Sequence, residues 1–222
     1  MPKGNRVVLW RHGQTDWNVV NRFQGHSDIP LNDVGLYQAQ HAARLLASMK
    51  PTAIISSDLQ RAHATAQELA ELVHLPVTLD VDLRETNGGM WEGKTGLENR
   101  AEDFANFVRW IDGDDNPAGR TGERRTEVAL RAVAAIERAL STGGEDQLLI
   151  VATHGGTARC VLGHLLQLPQ SHWGVIGGLS NAAWSIVKTG PRGDWHLMEH
   201  NAGSIPEPVY GEESGAEPNG NQ

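Results

Sequence analysis

Cysteine and long apolar runs are both scarce in this sequence. Cys160 is the single cysteine, which excludes an internal disulfide and suits a reducing compartment. No stretch approaches the ~18 consecutive apolar residues of a membrane span. Residues 1–6 lead into the first apolar run without the apolar region of a signal peptide. We therefore expect a cytoplasmic protein without a membrane partner.

Positive charge is scarce as well. The chain has 19 Lys and Arg against 27 Asp and Glu, a formal net charge of -8. A general nucleic-acid-binding protein needs a basic face, so the composition argues against a nucleic-acid partner. Part of the acidic excess lies in residues 203–222, a segment rich in Gly and Pro that we expect to be largely disordered. Local Arg and His clusters could still form an anion site.

The remaining composition suits one α/β domain. With 222 residues, 39% of them hydrophobic, the chain can bury a sizeable core. Apolar runs and stretches of helical period alternate along it, which predicts a three-layer α/β sandwich with a mainly parallel central sheet. We assign residues 1–202 to a single domain. The expected strands lie near 7–10, 53–55, 77–79, 148–152, 182–187 and 195–198.

Capping and breaking residues predict where the helices lie. Asn32 is a good N-cap for a first long helix, whose apolar face is predicted to contain Leu36, Ala39, Ala43 and Leu46. The oxygens of 56–58 are expected to cap the next helix, which places Arg61 in its first turn. A bound anion there would be attracted both by Arg61 and by the positive amino end of the helix. Further helices are predicted from Thr121 or Gly122 to about Leu140, and from about Thr157 to Leu168. A short amphipathic helix is predicted around Phe104, Phe107, Val108 and Ile111.

Two buried-strand patterns are each followed by a His-Gly pair. Residues 7–10 lead to a strand end that is followed by His12, and residues 148–152 lead in the same way to His154. Open α/β sheets bind ligands beyond the carboxyl ends of their strands. We therefore expect the two imidazoles to converge on one crevice, with Gly13 allowing the chain to turn sharply after the first.

Five sequence blocks occur in a fixed order around these two pairs. They are Arg11–Asn18, then Arg22–Gly25 with Leu31–Gly35, then Ser56–Ala62, then Leu83–Glu85 with Gly88–Gly93, and finally Thr153–Gly156. The set is specific, because the order and the spacing of all five blocks must agree. Over about residues 6–200 the chain resembles the histidine phosphatase (phosphoglycerate-mutase-like) superfamily.

This resemblance implies a metal-independent phosphomonoester hydrolase that uses a phosphohistidine intermediate and no cofactor. Its substrate would be a small phosphorylated metabolite, such as a sugar phosphate or a phosphoglycerate derivative. His12 would be the nucleophile, with its second ring nitrogen held by a backbone carbonyl, and Glu85 would be the general acid. The groups that would bind the phosphoryl oxygens are Arg11, Arg61, His154 and Asn18. Positions near the phosphate or substrate are matched by Thr15, Gln24 and Gly25.

Other catalytic chemistries lack their required residues. Cys160 has no arginine at the sixth following position, so a cysteine-phosphatase loop is excluded. Residues 178–182 fall one residue short of a Gly-x-Ser-x-Gly elbow. His196 and His200 have no evident third ligand, so we expect no catalytic metal. Residues 155–156 are not followed by Lys-Ser or Lys-Thr, which excludes a P-loop.

Several alternatives about function stay open. A cofactor-dependent phosphoglycerate mutase would use the same pocket, but the resemblance favours a phosphatase because residues 85–87 lack the Glu-Arg-His-Tyr block and the insert at 94–120 is short. That insert would form a cap that selects the leaving group. The stretch 177–184 resembles the branch that acts on glucosyl-3-phosphoglycerate. An inactive phosphate-binding regulatory module is a further alternative, and a homodimer is the default assembly.

Overall fold

A six-stranded sheet forms the centre of the fold in the computed structural model, which describes residues 4–203. The strands are β1 (Arg6–Arg11), β2 (Ala53–Ser56), β3 (Val77–Leu79), β4 (Leu148–Thr153), β5 (Trp184–Thr189) and β6 (Trp195–Ala202). Their order across the sheet is β3-β2-β4-β1-β5-β6. The pairs from β3 to β1 are parallel, and β5 and β6 join as an antiparallel hairpin at the β1 edge. The predicted mainly parallel sheet is confirmed.

Helices cover both faces of this sheet. They are α1 (Asp16–Val19), α2 (Asp33–Ser48), α3 (Gln60–Val73), α4 (Gly96–Glu102), α5 (Phe104–Ile111), α6 (Arg125–Ser141) and α7 (Gly155–Leu165), with 3-10 turns at Val81–Leu83, Gly89–Trp91 and Gln170–Val175. Alternate residues of each strand point to opposite faces. Val7 and Leu9 pack with α6 and α7 on one side, and Val8 and Trp10 pack with α2 and α3 on the other. The predicted three-layer sandwich is therefore confirmed.

The first long helix begins where the sequence predicts. The Asn32 side chain accepts a hydrogen bond from the Gly35 amide and caps α2. Ala39, Ala43 and Leu46 are fully buried, as expected, but the prediction for Leu36 is wrong: it is 39% exposed. In its place the buried face of α2 continues through Gly35, because the helix lies so close to the loop after β1 that only glycine fits at the contact.

One helix cap and two helix boundaries differ from the predicted ones. Arg61 lies in the first turn of α3, as predicted, but Asp58 does not cap this helix, because its carboxylate binds Arg84 at 2.5 and 2.8 Å. Of the predicted cap oxygens, the Ser57 hydroxyl accepts from the Leu59 amide just before α3, and Asp28 accepts from the Gln60 amide. Helix α6 begins at Arg125, since the predicted start at 121–122 is occupied by a tight turn. Helix α7 begins directly after His154 and ends at Leu165, earlier at both ends than predicted.

The insert at 94–120 holds two helices, one more than the sequence predicts. Phe107 and Trp110 of α5 pack against Trp91 and Phe23, and this small aromatic cluster is separate from the main core. Phe104 and Ile111 are 59% and 43% exposed, so the predicted apolar face is partly wrong. The buried face of α5 includes Trp110 instead, because Trp91, which lies outside the insert, packs against it. The role of this insert as a cap stays a prediction.

The chain termini lie partly outside the described residues. The prediction of a disordered tail concerns residues 203–222, of which only Gly203 is described. Among residues 4–203, no helix has both the length and the apolar character needed to cross a membrane.

A close approach between two backbones fixes the start of the first loop after β1. Gly13 does not adopt the positive φ that the expected sharp turn would need. A Cβ on Gly13 would lie 2.2 Å from the Gly35 carbonyl oxygen, and a Cβ on Gly35 would lie 2.0 Å from the Gln14 carbonyl oxygen. Both glycines are therefore required by packing of α2 against the loop that follows His12.

We predict that Gly35→Ala lowers the free energy of unfolding by about 2 kcal/mol, because overpacking against backbone cannot be relieved by a rotamer change. This loss should exceed the gain in helix propensity that alanine normally brings. Urea denaturation of both proteins measures the difference. Gly144→Ala is the matched control, since a Cβ there meets nothing within 4 Å. Equal stability of the two variants would contradict this packing argument.

Candidate active site

The parallel pairing of β1 with β4 brings the two predicted histidines together. Arg11 lies opposite Thr153 at the carboxyl ends of the two strands, and the His12 amide donates to the Thr153 carbonyl at 3.0 Å. The ring centroids of His12 and His154 are 5.2 Å apart. Residues of three further segments complete one cleft, which is lined by Arg11, His12, Asn18, Arg22, Phe23, Gln24, Gly25, Arg61, Glu85 and Gly155.

His12 is buried and held in one orientation. Its Nδ1 lies 2.6 Å from the Gly13 carbonyl oxygen, and a carbonyl can only accept, so Nδ1 carries the proton. The second nitrogen, Nε2, is then the one with a free lone pair. Burial, followed by the charges of Arg61 and Arg11, lowers the pKa of His12 well below its ordinary value of 6.5. The imidazole is therefore neutral at physiological pH.

Two buried arginines supply positive charge to this cleft. Arg61 is fully buried in the first turn of α3, and its Nη1 and Nη2 donate to the carbonyls of Ser27 and Gly25, each at 2.8 Å. Burial lowers the pKa of Arg61 to about 10, so it stays protonated at neutral pH. Arg11 is 5% exposed, and its Nη1 donates to the Leu179 carbonyl at 2.5 Å.

His154 lies beneath this cleft as the N-cap residue of α7. Its Nε2 lies 2.9 Å from the Ser57 hydroxyl, and within the described chain its Nδ1 has no hydrogen-bond partner although it is buried. Burial, then Arg61 and His12, lowers the pKa of His154 well below 6.5. His154 thus offers the cleft a second neutral imidazole. Ser57 is a contact that the sequence analysis did not assign.

The Glu85 carboxylate sits at the N-terminus of α7. Its Oε1 accepts from the amides of Thr86 and Thr157 at 2.8 and 3.0 Å, and its Oε2 accepts from the Gly156 amide at 3.1 Å. The Thr157 hydroxyl adds a bond of 3.2 Å. A Cβ on Gly156 would come within 2.6 Å of Oε1, so glycine is needed for this approach. The amides at the N-terminus of α7 therefore fix the orientation of this half-buried carboxylate.

The remaining predicted residues divide into those that reach the cleft and one that does not. Asn18, Gln24 and Gly25 line it. Thr15 is fully buried and caps α1, where its hydroxyl bonds to Asn18 and Gln24 at 3.0 Å each. The Asn18 oxygen also accepts from Asn181 at 3.3 Å, which leaves its Nδ2 to donate into the cleft. Thr15 therefore supports the other two side chains from behind.

Arg131 holds the segment that carries Glu85, and the sequence analysis missed it. It donates to the carbonyls of Asp82, Arg84 and Glu85 at 2.6, 2.8 and 2.9 Å. Glu123 accepts from the same guanidinium at 2.7 and 2.9 Å. Arg131 belongs to the middle of α6 and has no local motif, so no sequence signal could have identified it. Only the packing of α6 against residues 81–85 shows its role.

We predict that acidification destabilises the fold through His12 and His154. Their pKa values are lowered in the folded state, so unfolding takes up protons once the pH falls below the unfolded pKa of about 6.5. Their stabilising contribution is complete above that pH and is lost as the pH falls toward the folded pKa. Each histidine should reduce the free energy of unfolding by up to about 1.4 kcal/mol per pH unit in this window.

Urea denaturation between about pH 7.5 and pH 5 measures this dependence. The double variant His12→Asn/His154→Asn should show a shallower fall than the parent protein, whereas His41→Asn on the exposed face of α2 should keep the full dependence. The same slope in the double variant and the parent would refute the assignment of the two buried imidazoles.

Comparisons with known proteins show which proteins this chain is similar to. A family model described as the histidine phosphatase superfamily (branch 1) matches residues 7–203. The chain is 38% identical over 195 residues to a glucosyl-3-phosphoglycerate phosphatase of Mycolicibacterium vanbaalenii, which covers 85% of this chain and 86% of that protein. It is 39% identical over 166 residues to a probable phosphoglycerate mutase of Proteus mirabilis, which covers 74% of this chain and 76% of that protein.

A solved structure shows the same fold. The mycobacterial glucosyl-3-phosphoglycerate phosphatase complexed with VO3 matches with a TM-score of 0.83 and 37% identity, over 89% of this chain and 98% of that one. The expected class of enzyme, a phosphoric monoester hydrolase, is thereby confirmed. From its blocks, its fold and these matches, the chain belongs to the histidine phosphatase superfamily.

Proposed function

We propose that His12 attacks the phosphorus of a small phosphomonoester and forms a phosphohistidine intermediate. The observation that carries this proposal is the fixed tautomer of His12, with Nδ1 tied to the Gly13 carbonyl and Nε2 left as the nucleophile beside two buried arginines. Nε2 forms the new bond to phosphorus while the bond from phosphorus to the ester oxygen breaks. The electron pair of that bond leaves with the oxygen.

Glu85 moves the proton in both half-reactions. In its protonated form it gives the proton to the leaving oxygen, which departs as an alcohol. The resulting carboxylate then takes a proton from a water molecule that attacks phosphorus, and the phosphorus–nitrogen bond breaks to return neutral His12 and inorganic phosphate. The amides at the start of α7 keep the carboxylate at the edge of the cleft for both steps.

Arg11, Arg61, His154 and Asn18 bind the phosphoryl oxygens in this mechanism. Charge spreads over the equatorial oxygens in the transition state, where prepositioned donors contribute most. The guanidinium of Arg61 is already fixed by two carbonyls, so little reorganisation is needed when the anion arrives. Removal of one such donor typically costs about 3 kcal/mol of transition-state stabilisation.

The proposed substrate is a phosphoglycerate derivative, with glucosyl-3-phosphoglycerate as the first candidate. Support comes from the relatives that carry that name and from the similar stretch at residues 177–184. A mutase is the second candidate, because one relative is a probable phosphoglycerate mutase, although that match covers less of the chain. An inactive binding module is disfavoured, because the nucleophile, the arginines and the acid are all present and in place.

We further propose one domain over residues 1–202, action in the cytoplasm, and residues 94–120 as the cap beside the leaving group. A homodimer remains the default proposal for assembly. The continuity of one sheet with helices on both faces supports the single domain. Cys160, the single cysteine of the sequence, is buried, which is compatible with a reducing compartment.

The decisive experiment measures phosphate release in the presence of a metal chelator. The panel is 3-phosphoglycerate, glucosyl-3-phosphoglycerate, sugar phosphates and p-nitrophenyl phosphate, with 2-phosphoglycerate formation followed in parallel. We expect fast release from a phosphoglycerate derivative. Isomerisation without release would establish a mutase, and no turnover of any compound would favour the binding module.

We predict that His12→Ala abolishes turnover and phosphoenzyme formation without unfolding the protein. Rapid acid-free quenching with a radiolabelled substrate should trap an acid-labile phosphoryl group on the parent enzyme and none on the variant, because Nε2 of His12 is the proposed nucleophile. The control His41→Asn should retain the label. Label or activity that persists in His12→Ala would show that another group is the nucleophile.

We predict that Glu85→Gln slows turnover of alkyl phosphates about a hundredfold or more but affects p-nitrophenyl phosphate far less. The nitrophenolate needs little protonation as it leaves, whereas an alkoxide depends on the acid. The comparison of kcat for the two substrates in parent and variant measures this difference. An equal loss for both leaving groups would contradict the acid role.

A further inference from the structure

Glu92 forms a dense set of hydrogen bonds that the proposed mechanism does not use. Its Oε1 accepts from the amides of His26 and Gly88 at 2.9 and 3.0 Å. Its Oε2 accepts from the Ser27 amide at 3.1 Å and from the Ser27 hydroxyl at 3.0 Å. One carboxylate therefore binds three backbone amides from two separate loops. Charge-assisted bonds of this kind are among the strongest that side chains make to backbone.

The loop that Glu92 binds is the same loop that holds Arg61. The peptide unit between Gly25 and His26 accepts from Arg61 through its carbonyl oxygen and donates to Glu92 through its amide. The next carbonyl used by Arg61 belongs to Ser27, whose own amide also donates to Glu92. Hydrogen bonds through one peptide unit polarise one another, so the carboxylate strengthens the Gly25 carbonyl as an acceptor. At Ser27 it fixes the position of the residue whose carbonyl also binds the guanidinium.

The loop that binds Arg61 packs tightly against the Glu92 carboxylate at Gly25. Gly25 has a φ of +50°, and a Cβ there would lie 2.1 Å from Glu92 Oε1. The loop thus passes directly against the carboxylate, in a backbone conformation that favours glycine. The negative charge of Glu92 also opposes the effect of burial on Arg61, since it raises the pKa of that guanidinium.

We propose that Glu92 is a positioning residue that fixes Arg61 for phosphoryl binding. Through Gly88, it also ties the Arg61-binding loop to the segment that carries Glu85. This inference rests on the proposed function, because that function assigns the phosphoryl group to Arg61. Glu92 does not line the cleft, so it acts through the loop and not on the substrate.

The test compares Glu92→Gln with the parent enzyme. Glutamine keeps the size of the side chain but loses the charge and one acceptor oxygen, so an amide of the loop faces a donor. We expect the Kd for inorganic phosphate, measured by calorimetry, to rise about tenfold or more, and kcat/KM for p-nitrophenyl phosphate to fall about tenfold to a hundredfold. This substrate needs little acid catalysis, so the loss reports on the phosphoryl cradle.

The matched control is Glu102→Gln. Glu102 pairs with Lys94 on the exposed surface of the insert at 94–120, so phosphate affinity should change less than about twofold. Glu92→Asp, which keeps the charge and both oxygens, should recover part of the loss. Melting curves confirm that each variant is folded at the assay temperature, and the aspartate variant carries the comparison if the glutamine variant does not fold.

A double variant separates positioning from a general structural role. If Glu92 acts through Arg61, Glu92→Gln should cost less than about twofold in kcat/KM when Arg61 is already alanine. The same loss in both backgrounds, or unchanged phosphate affinity in folded Glu92→Gln, would overturn the proposal. A parent protein that binds phosphate but hydrolyses no ester would refute the proposed function instead, and phosphate affinity would still decide the role of Glu92.

Discussion

The buried positive charge of Arg61 is the constraint on which the site depends. A guanidinium at this depth is costly unless its donors are satisfied, and the fold satisfies two of them with the carbonyls of Gly25 and Ser27. In the part of the chain that the structure describes, no carboxylate forms an ion pair with Arg61. The charge is therefore held in place but not neutralised, which suits a site that receives a phosphoryl anion.

Burial, together with that same charge, keeps the two histidines neutral. The Arg61 charge adds to burial in lowering the pKa of His12 and His154, and a neutral His12 is what the proposed nucleophilic role requires. The lowered pKa values reduce the free energy of unfolding in acid, because the unfolded chain binds protons that the two buried histidines do not. In the proposed mechanism, the buried charge that binds phosphate therefore also contributes to the nucleophilicity of His12 and to the sensitivity of the fold to acid.

Parallel strand pairing carries these groups to a common place. His12 and His154 are far apart in sequence, but β1 and β4 are neighbours with carboxyl ends at the same edge. Glu85 arrives from outside the sheet, held by Arg131 of α6 on one side and by the start of α7 on the other. The proposed general acid is thus anchored to helices on the rigid scaffold, although it lies on a loop.

The sequence alone determined most of the architecture and the identity of the central groups. Alternating apolar runs predicted the strands, Asn32 predicted a helix start, and the repeated His-Gly pairs predicted converging imidazoles, because these signals are local or strictly periodic. Predictions from local patterns were wrong where a residue distant in sequence made a contact that the pattern could not show. Asp58 looked like a helix cap but binds Arg84, and Leu36 looked buried but yields to the close approach of Gly35.

Only the tertiary structure decided how the central groups are held. The contacts of Arg131 with the Glu85 segment, of Thr157 with the carboxylate, and of Glu92 with the Arg61 loop join residues from separate elements. Such contacts depend on the distance between backbones after packing, which no local pattern specifies. The sequence therefore named the side chains of the proposed mechanism, and the packing of helices against one sheet determined their orientation, burial and charge.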